Sequence, residues 1–104
     1  MPKCKITVLK TLYNRDLAET YRRPDIHMGP CPYYSPGQEF LVHHVTEKPE
    51  DFPCGWAWDD IHKMVMTIML GGNFGNWMAD KHTMIACCTD GTKPVVFKLE
   101  RVDD

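Results

Sequence analysis

The chain has 104 residues, 43% hydrophobic and 25% charged, with a formal net charge of -2 at pH 7. That length bounds it to one domain, 1–104, with one modest core, and that apolar content sets it apart from disordered chains. So weak a charge gives no field to gather a polyanion, so nucleic acid is not expected as a partner, and no apolar run approaches the roughly 20 residues of a membrane span.

Lys3 to Tyr13 alternates, with Cys4, Ile6, Val8 and Leu12 on one face and Lys3, Lys5, Thr7 and Thr11 on the other, which predicts a half-buried strand. Cys4 on the apolar side reads as a small hydrophobe. Met1-Pro2-Lys3-Cys4-Lys5 leads into this strand rather than into a signal-peptide core. The five cysteines are an odd number without a Cys-x-x-Cys pair. Reduced thiols in a cytoplasmic protein are therefore expected. Asp16-Leu17-Ala18-Glu19 has capping-box spacing, predicting a short helix with Leu17 and Tyr21 as its apolar edge before Pro24 stops it.

Four of the eight prolines fall between Pro24 and Gly37, so this stretch reads as an ordered loop. Cys31 lies between Pro30 and Pro32, where little backbone freedom remains. That suits a ligand or nucleophile held still, and equally a thiol tucked under a rigid loop. Pro36-Gly37 marks a turn into a second strand, Gln38 to Val45, with Phe40 and Val42 inward and the rings of His43 and His44 on opposite faces.

The segment from Cys54 to Gly72 is the one stretch with helical periodicity over several turns. Ala57/Trp58, Ile61, Met64/Val65 and Ile68/Met69 form its apolar stripe. A helix over about 56–70 follows, with Asp59 and Asp60 in its first turn and a glycine stop at Gly71-Gly72. Cys54 precedes the first turn, where unpaired N–H groups favour a thiolate, although two nearby carboxylates oppose it. Trp56 and Trp58 lie on different sides of this helix, so one enters the core while the other covers a loop or lines a pocket. The Gly71–Met78 loop lacks both G-x-G-x-x-G and G-x-x-x-x-G-K-[ST] and follows a helix, which speaks against phosphate binding. It reads instead as a flap, with Phe74 and Trp77 closing over the core or a ligand.

His82 to Cys88 and Lys93 to Val102 read as a hairpin with Asp90-Gly91 as a two-residue turn. That register sets Cys88 opposite Lys93, Ala86 opposite Val95 and Met84 opposite Phe97. Cys88 then faces the helix, and Cys87 shares the other face with Ile85, Pro94 and Val96. The fold expected from these elements is α+β, a small, mostly antiparallel sheet of about four strands packed on one principal helix.

The chain resembles a family of small uncharacterised single-domain prokaryotic proteins. The resemblance rests on Gly29-Pro30-Cys31-Pro32, Gly37-Gln38-Glu39-Phe40, Cys54-Gly55-Trp56-Ala57-Trp58-Asp59-Asp60-Ile61, Gly71-Gly72 and Ala86-Cys87-Cys88-Thr89-Asp90-Gly91 running into Pro94-Val95-Val96-Phe97. It implies no activity, substrate or cofactor. Lys93 stands where similar sequences carry arginine, which would weaken a bidentate anion contact at that position.

The leading functional expectation is a cysteine-based site in which Cys31, Cys54 and Cys88 converge. They would act as ligands for zinc or another soft metal, or as a redox-thiol centre. Trp56, Trp58 and Trp77 would shape its pocket, with Asp90 nearby as a turn residue. A second expectation is a binding or assembly module using Ile85, Pro94 and Val96 to form a homo-oligomer or hold a partner protein. A third is a small cysteine-dependent enzyme, with Cys54 or Cys31 as nucleophile, His62 or His82 as base and Asp90 as orienter.

Overall fold

The computed structural model describes residues 2–103. Its elements run β1 (Lys3–Thr11), α1 (Arg15–Tyr21), β2 (Glu39–Val42), α2 (Gly55–Met69), β3 (Thr83–Cys87) and β4 (Val95–Val102). The strands form a four-stranded sheet in the order β2-β1-β4-β3, every neighbouring pair antiparallel. One face is covered by α2, which packs on β3, β4 and β1. This is the α+β architecture that the periodicities predict.

Burial follows the alternation in β1, where Cys4, Ile6 and Val8 are fully buried. Leu9 breaks the alternation, and the strand absorbs it as a register shift against β4 between Val8 and Lys10. Leu12 consequently lies past the strand end and is 42% exposed instead of joining the core. On α2 the predicted stripe is the buried one: Ala57, Trp58, Ile61, Val65, Ile68 and Met69. They meet Val95, Phe97 and Leu99 of β4 in a single cluster, where each large apolar side chain contributes about 1.5–3 kcal/mol by leaving water. Beside them Phe52 stacks edge-on against Phe40, with ring centroids 5.0 Å apart, and closes the sheet face near β2.

The helix ends where expected, but it starts differently. Gly71 takes a φ of 93° and the Gly72 N–H donates to the Thr67 carbonyl at 2.8 Å, a Schellman stop. At the other end the helix begins at Gly55, so Asp59 and Asp60 belong to its second turn, and its first turn holds no acid. The cap is Cys54 itself. In α1 the capping box centred on Asp16 does not form. Asn14 precedes the helix and spends its side-chain amide on the Gly91 carbonyl, 2.6 Å away, which leaves the cap without a side-chain bond. Only Ala18 of α1 is buried, and Leu17 and Tyr21 face outward.

The hairpin closes in a register different from the predicted one. Ala86 opposes Phe97 and Met84 opposes Leu99, and the Cys88 N–H reaches the Val95 carbonyl at 3.1 Å, so residues 89–94 form a longer connection. Three local features open it. Pro94 has no N–H for the ladder, and its carbonyl accepts from Leu12 N–H instead. The Asp90 carboxylate folds the chain on itself by accepting from Thr92 N–H at 3.0 Å and Thr92 Oγ1 at 2.9 Å. Gly91 does not take the positive φ that a primed two-residue turn requires. Because the slip is by two residues, each side chain keeps its face. Cys88 remains on the helix side and Cys87 is exposed with Ile85, while Pro94 leaves the strand for the connection. The open face is laced with ion pairs, Lys5 to Glu39 and Glu100 and Lys98 to Glu100, at 3.3–3.7 Å. Strand β2 is shorter than predicted and ends before His43 and His44, both exposed.

Candidate functional site

Three segments meet beyond the N-terminal end of α2. The proline-rich loop brings Cys31, and it is fastened three residues later by Tyr34. The Tyr34 ring packs against Phe97, Phe52 and Phe40 at centroid distances of 5.2, 5.6 and 6.3 Å. The helix brings Cys54 as its cap, whose sulfur accepts a hydrogen bond from the Ala57 N–H at 3.4 Å. This is the place of an Asp or Ser cap, taken here by a thiol. The end of β3 brings Cys88, whose sulfur accepts from the Val95 N–H at 3.3 Å. Between them lies a pocket of about 120 Å³ lined by Cys31, Cys54 and Cys88 together with Tyr33, Tyr34, Trp56, Ala57, Asp60, Thr89, Asp90 and Lys93.

Its polar groups divide into engaged and unengaged. Asp60 accepts the Thr89 N–H at 2.7 Å and ties the helix to the β3–β4 connection. Burial alone would raise the Asp90 carboxyl, but Thr92 N–H, Thr92 hydroxyl, Lys93 N–H and the Lys93 charge outweigh it and hold it below the ordinary carboxylate range. Arg22 and Lys93 both lie 3.9 Å from Asp90. The two carboxylates thus serve as locks on the connection. Tyr34 is different. It is only 5% exposed, and among the described residues its buried hydroxyl finds no hydrogen-bond acceptor. Burial pushes its phenol well above the ordinary value. Cys54, Cys31 and Cys88, when ionised, push it the same way, and a hydrogen bond from the Cys54 backbone N–H to the phenol oxygen offsets part of the rise, so that it is the hydroxyl proton that lacks an acceptor. The hydroxyl is thus a permanent donor at neutral pH, set among three sulfurs.

No protein-family model, curated protein or solved structure matches this chain. The site has to be read from its own residues.

Five residues named from the sequence, Cys31, Cys54, Cys88, Trp56 and Asp90, line this pocket. Trp56 is 63% exposed and forms its rim. Trp58 and Trp77 are elsewhere. Trp58, two residues on, turns into the core and stacks on His62 at 4.8 Å. Trp77 is 65% exposed and packs edge-on against Phe74 in the loop after α2. His62, a base in the enzyme reading, is spent on the Val45 carbonyl at 2.6 Å, and neither it nor His82 lines the pocket. The three thiols line a common space without surrounding one point. Among the described residues no three His, Cys, Asp or Glu side chains are arranged to hold a metal ion. Cys4 lies in the core, its thiol pushed up to about 12 first by burial. Cys87, on the exposed face, is also raised, by burial and by Cys88 and Asp60. Sequence reasoning missed Tyr34, Tyr33, Asp60, Thr89 and the placement of Lys93; the only signal for Tyr34 was its closeness to Cys31. Among the described residues no helix is long and apolar enough to cross a membrane.

Proposed function

We propose that this is a small thiol protein whose pocket carries reversible two-electron sulfur chemistry, with Cys54 as the attacking sulfur and Cys31 and Cys88 as its partners. The observation behind this reading is that three cysteines from three separate segments line one pocket with Tyr34, a buried hydroxyl whose proton has no acceptor. Cys54 takes the attacking role because it caps α2, where its sulfur already accepts the Ala57 N–H at 3.4 Å and lines the pocket with the other two thiols. A metal centre built on the same sulfurs is the weaker account, since they do not converge as ligands.

The test is thiol counting on protein purified anaerobically without chelator, before and after equilibration with a small aliphatic disulfide. The expected result is five free thiols falling to three through one intramolecular disulfide, with no such disulfide in Cys54→Ser. Five thiols that react independently, in an order set only by exposure with Cys87 first, would refute the reading. Near-stoichiometric metal, lost in each of Cys31→Ser, Cys54→Ser and Cys88→Ser, would replace it with a metal centre.

A further inference from the structure

The Tyr34 O–H, whose buried proton has no acceptor, says more about the ligand than the thiols do. A buried donor without an acceptor costs stability, and this one is retained where the only neighbours that change during sulfur chemistry are Cys31, Cys54 and Cys88. A sulfur–sulfur bond formed by exchange offers it nothing new. An oxygen transferred to one of those sulfurs gives it an acceptor. The space also limits the reactant. At about 120 Å³ the pocket suits a reactant of a few heavy atoms better than a protein or peptide disulfide, and the exposed Trp56 lies at its rim.

Resting on the thiol reading above, we propose that the oxidant is a small hydroperoxide and that Tyr34 is the donor that receives the transferred oxygen. The Cys54 thiolate attacks the distal oxygen of ROOH. The S–O bond forms as the O–O bond breaks, and the released alkoxide takes up a proton and leaves as ROH. Cys54 has then lost two electrons and is a sulfenic acid, whose oxygen accepts from the Tyr34 hydroxyl. A second thiol attacks the Cys54 sulfur, displaces that oxygen as water, and forms the disulfide. Cys31 is this second thiol. Its loop has no regular secondary structure and, among the described residues, no hydrogen bond holds its sulfur, whereas the Cys88 sulfur is engaged by Val95 N–H. Two equivalents of a low-molecular-weight thiol restore the reduced protein and leave as their own disulfide.

Reduced wild type, Tyr34→Phe, Cys31→Ser and Cys88→Ser are each mixed with tert-butyl hydroperoxide and, separately, with a small aliphatic disulfide. Disulfide formation is followed by mass spectrometry, and the sulfenic acid is trapped with dimedone. In wild type the peroxide yields a Cys31–Cys54 disulfide. In Cys31→Ser, dimedone accumulates on Cys54, whereas Cys88→Ser behaves as wild type. Tyr34→Phe slows the peroxide reaction by about tenfold or more, the scale of one lost transition-state donor, and leaves the reaction with the disulfide unchanged. If Tyr34→Phe slows both reactions equally, or neither, the hydroperoxide assignment is overturned while the thiol reading stands. If neither reagent produces an intramolecular disulfide, the thiol reading itself fails.

Discussion

Replacing Tyr34 by phenylalanine should stabilise the reduced protein, the reverse of what removing a hydrogen-bonded tyrosine hydroxyl does. The ring keeps its contacts with Phe97, Phe52 and Phe40 at 5.2–6.3 Å, because none of them uses the oxygen. What disappears is a buried O–H whose proton has no acceptor, a donor that costs about 1–3 kcal/mol to leave unsatisfied. Allowing for relaxation at the pocket edge, the expected gain is about 1 kcal/mol, or roughly 4–8 °C in melting temperature for a domain of this size. Urea unfolding at pH 7 under reducing conditions measures it. An alkaline series adds a sign. The folded state holds the Tyr34 proton above the ordinary value of 10.0, so the unfolded state loses that proton first as pH rises. Stability from this group is therefore complete below 10.0 and declines above it, by about 1.4 kcal/mol per pH unit for one proton. The phenylalanine variant lacks that decline, so its advantage should widen above pH 10. A loss of about 1 kcal/mol or more at pH 7 would instead show that the hydroxyl is well bonded and not waiting for an acceptor.

Three further outcomes test the frame around the pocket. A Cβ added at Gly72 would meet Thr67 Cγ2 at 2.7 Å and the Thr67 carbonyl oxygen at 3.1 Å, so Gly72→Ala should cost about 1–3 kcal/mol in urea unfolding. Adding Thr67→Ser should return part of that loss, since serine lacks the clashing methyl. Asp90→Ala orphans the Thr92 and Lys93 N–H groups and should cost about 1–3 kcal/mol at pH 7. Because the folded carboxyl is held below its ordinary 3.8, the stability it supplies is present above that value and lost as pH falls through the folded one, and the variant should lack this acid-side loss. Cys4 should be the last thiol alkylated in native protein. With its thiol raised from 9.0 to about 12, the stability it supplies is present below pH 9 and lost towards pH 12, and Cys4→Ala should flatten that decline by one proton's worth.

The parts of this fold legible in the sequence were those with a period. The β1 alternation through Val8, the α2 stripe and the glycine stop all follow from side-chain spacing, which the backbone geometry converts directly into faces. The illegible parts were set by partners far away in the chain. Nothing near Asn14 says that its amide is taken by Gly91, and nothing near Asp90-Gly91 says that Pro94 will give its carbonyl to Leu12. Asp-Gly alone reads as a tight turn, and the tertiary contacts opened it into a six-residue connection. For the pocket, Cys31, Cys54 and Cys88 were chosen by local chemistry: a rigid loop, a helix start and a strand end. Their sharing of a space depended on which end of α2 the β3–β4 connection meets, and the Thr89 N–H bond to Asp60 is made at that meeting. Trp56 and Trp58 show the same division. Residue type favours a pocket for either, but the helical rotation between positions 56 and 58 sends Trp56 to the rim and Trp58 to the core.

That division also bears on which chemistry the pocket suits. Hydrolysis needs a base to draw a proton from water, and the groups lining this space offer none that is free. The histidines are elsewhere, Asp60 and Asp90 hold backbone N–H groups, and Tyr34 keeps its proton at neutral pH. Sulfur chemistry makes no such demand. A cysteine sulfur is itself the nucleophile, and the leaving oxygen can take the proton it needs from solvent. Cys54 at the helix cap supplies the nucleophile, and Cys31 as the second thiol supplies a route back from the oxidised state. Cys31, Cys54, Cys88 and Tyr34 include no free base to draw a proton from water or carbon, which is why two-electron sulfur chemistry is the reading these residues support best.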